Sequence, residues 1–482
     1  MNRDLLVPLV STPFRHYING GWETGATTGL RLNPSDLDEP VGEYMRADAR
    51  QTDTAIEAAS AAFREWSLGS AQRRADALDA IGGELLARRD ELARLLAREV
   101  GKTLPEALAE VVRAGQLVRF FAAQAQRASS EVLASARQGV EIDVTREPLG
   151  VVGIIAPWSA PLAIPAAKIA AALACGNCVV FKPAESVPAC ASALASIISR
   201  AGLPAGAFNL VMGSGRQVGA RLAAHPLVAA LSFSGSAATG TQVRHAGAAR
   251  EARVQVATGG PNALVVLNDA DFDGAVEAAL SGAFGAAGQS GSASARLIVE
   301  RGVFEPFVEA LKAKLAALRV DHALKRGTGM GPVANAEQLE RTLDYVRIGR
   351  EEGAQLIHGG RRLERATRGY YLEPALFIAE PAHRIAREEV FGPLAAVLAA
   401  DDYEHALHLA NDVPSALCAG ICTRSLNHAR HFRRHAQCGT VTINLPTTAV
   451  DHHAPAGGRK APAYGTHDAA FWTAVKTAYV AG

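Results

Sequence analysis

The sequence predicts an α/β protein built on parallel open sheets and divided into two or three domains. Three observations predict it. At 482 residues the chain exceeds the size at which one hydrophobic core keeps growing. Hydrophobic residues make up 49% and charged residues 20%, a globular balance that excludes a disordered chain. From residue 140 onward, short apolar runs alternate with helical patterns, the βαβα order of a parallel sheet with helical crossovers.

Residues 51–126 read as helices. In ALDAIGGELLARRDELARLLAREVGKTL, Leu85, Leu92, Leu95 and Leu96 share one face and charged residues the other, and Gly101 supplies a stop. VEIDVTREPL alternates apolar and polar residues as a half-exposed strand does. GVVGIIAPW (150–158) and NCVVFKPAE are continuous apolar runs, which suit strands buried on both faces. LAIPAAKIAAALACG, SVPACASALASIISRAG and RQVGARLAAH read as helices, AFNLVMGSG and ALSFSGS as strands entering turns. Ligands of such sheets bind at the carboxyl ends of the strands.

A second α/β series follows: ARVQVATGGPNALVVL, a helix from Asp271, ARLIVE, a helix across FEPFVEALKAKLAAL, then the strands EPALFIA, AAVLAA and TVTINL. The segment 447–482 is rich in Gly, Pro and His and closes on FWTAVKTAYV, expected to be helical.

A formal net charge of +1 gives no electrostatic case for a nucleic-acid partner. The basic run HARHFRRH (428–435) reads as a solvated helix face. No apolar stretch approaches the roughly 18 residues of a membrane span, and MNRDLLVPLVSTPF is too broken for a secretory signal. The expectation is a cytoplasmic, reduced protein. All six cysteines, Cys175, Cys178, Cys190, Cys418, Cys422 and Cys438, fall in apolar runs. The C-x-x-C pair Cys175 and Cys178 therefore reads as buried packing. His452 and His453 after Asp451 read as a polar loop, since neighbouring residues seldom reach one ion, and no metal site is expected.

Four segments, GVVGIIAPWSAPL, GNCVVFKPAE, LSFSGSAATG and REEVFGP, resemble in order and spacing the aldehyde dehydrogenase superfamily, and the resemblance runs from YINGGW (17–22) to VKTAYV (475–480). It implies a Rossmann-type cofactor domain over 1–128 and 149–258 and an α/β catalytic domain over 259–446. A small β oligomerisation arm and tail over 129–148 and 447–482 would join subunits into homodimers or homotetramers. It implies NAD or NADP as cofactor and a small aldehyde as substrate. The cofactor residues carried over are Ile155, Pro157, Trp158, Lys182, Glu185, Gly215, Gly219, Ser236, Glu389 and Phe391. Lys182 and Glu185 would hold the adenosine ribose, Ser236 the pyrophosphate, Glu389 and Phe391 the nicotinamide end. A carboxylate at Glu185 accepts from a free ribose hydroxyl and repels a 2′-phosphate, so NAD is favoured over NADP.

The family's chemistry needs a thiolate to attack the aldehyde, an asparagine to hold the oxyanion and a glutamate to activate the hydrolytic water. At the three matching positions this chain has Gly291 in GQSGSASAR, Ser159 after Pro-Trp, and Ala257 in ATGG. Ser290 and Ser292 flank the gap without a base beside them. The tail departs as well: PAGGRKAPA (455–463) has Ala456 and Pro462-Ala463 where the family shows Phe and Ser-Gly. The expectation is a protein that binds NAD but is inactive by the thiol route. The alternatives are an altered, non-covalent NAD-dependent oxidoreductase with Glu389 as the one acid near the nicotinamide, or a structural partner of an active relative.

Overall fold

The computed structural model describes residues 12–127, 130–455, 457–460 and 469–481. The departures at Ala456 and Pro462-Ala463 lie outside them.

The chain opens with β1 (His16–Ile18), β2 (Gly21–Glu23) and a hairpin of β3 (Thr27–Asn33) and β4 (Asp36–Arg46). Four helices follow: α1 (Ala49–Leu68), α2 (Ala71–Ala87), α3 (Arg89–Val100) and α4 (Leu104–Ala125). Each boundary has a local cause. The Asp48 carboxylate accepts from Gln51 N at 2.8 Å to start α1, and Gly101 ends α3 with a left-handed φ of 85°. Thr103 and Glu106 form a reciprocal capping box at the start of α4.

Next come β5 (Glu131–Ala134) and β6 (Val140–Pro148), then a βαβ series: β7 (Val151–Ile155), α5 (Ala163–Ala174), β8 (Cys178–Lys182), α6 (Pro188–Ile198), β9 (Phe208–Leu210), α7 (Ala220–Ala224), β10 (Val228–Ser234), α8 (Ala237–Ala248) and β11 (Arg253–Ala257). Their sheet has the order β11-β10-β7-β8-β9-β1-β2, parallel from β11 to β9, with β1 and β2 antiparallel at one edge. The buried strands β7 and β8 read as unbroken apolar runs because helices cover both faces.

A second sheet is built from β12 (Asn262–Val266), α9 (Phe272–Phe284), β13 (Ser294–Glu300), α10 (Arg301–Ala317), α11 (Ala336–Glu351), β14 (Gln355–His358), β15 (Ala375–Ile378), α12 (Arg384–Arg387), β16 (Leu394–Ala400), α13 (Tyr403–Asn411), β17 (Cys418–Cys422), α14 (Leu426–His435) and β18 (Thr440–Ile443). Its order is β14-β15-β16-β13-β12-β17-β18, with only β14 antiparallel. The run ARVQVATGGPNALVVL therefore divides: β11 completes the first sheet and β12 opens the second, with residues 258–261 between them.

One expectation is overturned. FWTAVKTAYV is not a helix. After a single turn, α15 (Ala469–Trp472), residues Thr473–Ala481 form β19, which pairs antiparallel with β6 from Thr473↔Pro148 to Ala481↔Val140. Val475, Thr477 and Tyr479 favour a pleated strand, and the partner that decides the matter lies over 300 residues away in sequence, beyond any local pattern. The resulting sheet has the order β19-β6-β5.

No helix among the described residues is long and apolar enough to cross a membrane. The basic run 428–435 lies on α14, whose Arg430, Arg433 and Arg434 are exposed while Ala429 and Phe432 are buried, as a solvated face requires.

Candidate functional site

The carboxyl ends of β7, β8 and β10 carry most of the residues singled out in the sequence. Ile155 ends β7, and the next residue, Ala156, donates its N–H to Lys182 O at 3.1 Å across to β8. Lys182 is buried, and its Nζ donates to Pro183 O at 2.6 Å. Desolvation lowers its pKa to about 8, against the opposing pull of Glu185. A methyl group at Gly219 would sit 3.5 Å from Lys182 Cδ, and nothing lies within 4 Å of one at Gly215. Gly219 thus leaves the lysine stem a flat wall, and Gly215 faces open space. Ser236 caps α8, its hydroxyl accepting from Thr239 N at 3.4 Å and donating to Thr239 Oγ1 at 3.1 Å.

Glu185 has a neighbour that sequence reasoning missed. Arg46, at the end of β4, places Nε 2.7 Å from Glu185 Oε1, and Tyr44 donates its hydroxyl to the same oxygen at 3.3 Å. Arg46 in turn donates to Tyr44 Oη at 3.1 Å. The carboxylate is therefore partly neutralised by a cation from a segment 139 residues earlier, for which the sequence offered no signal.

On the second sheet, the turn before β16 is held by α11. Arg341 donates to Glu389 O at 2.7 Å and Val390 O at 3.1 Å, and Gln338 donates to Phe391 O at 2.7 Å. These bonds keep Phe391 at a φ of 60°, uncommon for a bulky residue. Its ring meets the Trp158 ring edge-on with centroids 5.4 Å apart, bringing β7 and the 389–391 turn together.

Gly291 faces Gly259. A methyl group added at Gly291 would meet Gly259 Cα at 3.5 Å and Leu417 Cδ2 at 3.8 Å, ordinary contact distances. One added at Gly259 would overlap Glu389 Oε1 and lie 3.1 Å from Gly291 Cα. The Glu389 carboxylate thus lies beside these two glycines. The residue is half-buried, and its enclosed Oε1 has no hydrogen-bond partner. Burial raises its pKa to about 7, with the Arg341 charge and the Gly260 N–H pulling the other way. Ala257 ends β11, and the adjoining Thr258 is buried with its Oγ1 unpartnered. Ser159 is also buried.

The 286–292 loop is fixed by groups the sequence reading passed over. Ala286 and Ala287 both have left-handed φ, 50° and 56°, a strain sustained where the surroundings over-determine it. Glu106 Oε1 accepts from Ala286 N at 2.6 Å. Asn262 donates Nδ2 to Gly291 O at 2.8 Å and Ala293 O at 3.1 Å, while its Oδ1 accepts from Leu417 N and Cys418 N. A lone asparagine opening an apolar strand, PNALVV, was the available signal. Ser290 and Ser292 bond to each other at 3.1 Å and to no base. Another missed group is Lys168 of α5. It is fully buried, donates to Ser232 Oγ at 2.6 Å, and desolvation lowers its pKa to about 7.

The five buried cysteines, Cys178, Cys190, Cys418, Cys422 and Cys438, offer no activated thiol. Burial pushes Cys178, Cys418 and Cys422 up to about 12 and Cys438 to about 11, whereas a reactive thiol needs a lowered value. Among the described residues, no group of three or more His, Cys, Asp or Glu side chains could hold a metal ion.

Two parallel sheets flanked by helices, joined through a short glycine linker, define a two-sheet α/β protein of the Rossmann type. The chain belongs to the aldehyde dehydrogenase family, whose model matches residues 22–478. It is 37% identical over 478 residues to the α-ketoglutaric semialdehyde dehydrogenase of Bacillus subtilis, covering 97% of this chain and 98% of that one. It is 37% identical over 437 residues to the 2,5-dioxopentanoate dehydrogenase of Saccharolobus solfataricus, covering 89% and 90%. Among solved structures, betaine aldehyde dehydrogenase of Staphylococcus aureus in complex with NAD+ superposes with a TM-score of 0.95 at 30% identity, covering 98% and 96%.

Proposed function

We propose that this chain binds NAD at the carboxyl ends of β7, β8 and β10 and is inactive by the thiol route of its family. The observation that carries the reading is the pairing of Gly291 with Gly259. Where the family resemblance puts a nucleophile, there is no side chain, and the matching base position is Ala257. Losing one oxyanion donor alone costs roughly 10²–10³ in rate, and nucleophile and base act as a unit, so the losses do not simply add.

The residues present suit a nicotinamide dinucleotide. Lys182 and Glu185 would take the adenosine ribose, Ser236 at the α8 N-terminus the pyrophosphate, and Ile155, Pro157, Trp158 and Phe391 the apolar rings. Gly215 and Gly219 leave the approach to Lys182 open. Glu389 Oε1, buried and without a partner, lacks the hydrogen bond that a bound hydroxyl would supply. When bound, the nucleotide supplies a hydride acceptor. The NAD+ complex of the Staphylococcus aureus relative supports the choice of nucleotide. The reading retains the division into a cofactor domain (1–128, 149–258), a catalytic-type domain (259–446) and an arm and tail (129–148, 447–482), with assembly through the arm.

Calorimetric titration with NAD and NADP tests it. Saturable NAD binding that Lys182→Ala weakens is expected, as is no aldehyde oxidation through a protein-bound acyl intermediate. Restoring Gly291→Cys, Ala257→Glu and Ser159→Asn together should create that chemistry. A titration showing no nucleotide bound would sink the reading.

A further inference from the structure

We propose that a cavity of about 750 Å³ at the root of the β19-β6-β5 sheet binds an amphipathic anion, an apolar body with one oxyanion head, carboxylate or phosphate ester.

The cavity lies apart from the nucleotide site. In its wall, Ala174 and Cys175 close α5 just before β8 begins, and Pro148 ends β6 just before β7 begins. The space therefore sits at the amino ends of these parallel strands. Lys182 stands at the opposite, carboxyl end, where sheets of this kind take their usual ligand.

The size and walls suit an apolar body. Small-molecule sites span roughly 300–1,000 Å³, and this volume falls inside that range. Phe63 and Leu68 of α1, Phe120 and Phe121 of α4, and Trp472 supply apolar surface. Leu68 is 77% exposed, an apolar side chain that one copy of the chain leaves in water.

Charge decides the head group. The lining holds four cations, Arg74, Arg127, Arg146 and Lys476, against one acid, Glu147. Lys476 Nζ lies 2.5 Å from Glu147 Oε1, so those two offset each other. Three guanidiniums remain, and among the described residues none of them has a carboxylate partner. Arg74 donates to the backbone carbonyls Ala174 O at 3.1 Å and Gly69 O at 2.6 Å. Burial lowers its pKa, with Cys175 pulling the other way. The wall also holds an idle donor. Trp472 is 2% exposed and its indole Nε1–H has no acceptor, whereas Trp66 gives its own to Leu173 O at 3.2 Å. A buried donor without an acceptor is costly. An oxyanion matches the guanidinium fork and would give the indole its missing acceptor.

Calorimetry on the full chain, in the assembly it forms in solution, tests the proposal. The probes are decanoate and decyl phosphate, with uncharged decanol and cationic decyltrimethylammonium for comparison. One anion should bind per chain, more weakly as salt screens the exposed guanidiniums. Decanol should bind at least roughly tenfold more weakly than the better anion, the scale of one charge-assisted contact, and the cation should not bind. Arg127 and Arg146 are exposed, so Arg127→Glu with Arg146→Glu should fold as the parent does. That double variant should weaken anion binding roughly tenfold or more while leaving decanol and NAD binding unchanged. Trp472→Phe keeps an aromatic wall without the donor. It should weaken the anion and abolish the change in tryptophan fluorescence that binding produces. The proposal is overturned if neither anion binds, if the double variant binds both as the parent does, or if NAD displaces them. Anion bound only at chain concentrations too low for copies to associate would also overturn it, and would assign the space to a second copy.

Discussion

Gly291 has room for a side chain. The nearest atoms to an added Cβ are 3.5 Å away, so Gly291→Cys should fold with a melting temperature within about 2 °C of the parent, as a substitution free of clash should. Glu389 gives the opposite kind of prediction, one of pH. Its pKa rises from the usual 4.5 to about 7 on folding, chiefly through desolvation. The folded state therefore holds this proton more tightly, and the contribution is fully present below pH 4.5 and lost as pH rises through 7. The span is equivalent to roughly 3 kcal/mol. Glu389→Gln should match the parent near pH 4 and melt at a higher temperature at pH 8, which calorimetric scans would show. Equal melting at both pH values would mean that the carboxylate is solvated after all. Arg46 makes a third case. Freed from Arg46, Glu185 should repel a 2′-phosphate more strongly. Arg46→Ala should therefore raise the preference for NAD over NADP by several-fold, the scale of a half-exposed ion pair worth up to about 1 kcal/mol. Gly291 was legible in the sequence because the GQSG segment is read locally. Arg46 was not, because it acts through a contact made by folding alone.

Elements were legible wherever burial and period agreed. β7 and β8 announce themselves as apolar runs because both faces are covered, and α3 because its leucines repeat at helical spacing before a glycine. β19 failed for the converse reason. Exposed along nearly its whole length, it has no buried face to impose a period of two, and its identity rests on β6. In that three-stranded sheet β6 is central: Val144 pairs with Thr477 on one side and Glu131 on the other. Val144→Pro removes a backbone donor in the one strand whose bonds hold both neighbours. Hydrogen exchange should then rise across β5, β6 and β19 while β7, β8 and β12 keep their protection. Loss of protection in the two large sheets would show that the arm is integral to the main cores.

At the scale of the whole molecule, the β19-β6-β5 sheet poses a problem of exposure. Val132, Leu133, Val475, Tyr479 and Val480 are all exposed on it, by 47% to 75%. By register Leu133, Val475 and Tyr479 share one face of the sheet and Val132 and Val480 the other, and large apolar side chains exposed on the outer strands of a small sheet mark an association surface. A closed symmetric assembly would bury them by using the same patch on each copy. The burial of these side chains from water is worth roughly 25 cal/mol per Å² of apolar area before the cost of association is set against it. Charge on the patch should act against that burial directly, since an aspartate enclosed without a partner carries a large desolvation penalty. Light scattering behind size-exclusion chromatography should therefore give a multiple of the 50.4 kDa chain mass for the parent. Val475→Asp with Tyr479→Asp should move the population toward the single-chain mass. Both side chains point into solvent within one copy, so the double variant should keep its helical and sheet content by circular dichroism. A parent that elutes as a monomer, or a double variant that stays assembled, would place the contact between copies elsewhere and leave the exposed arm unexplained.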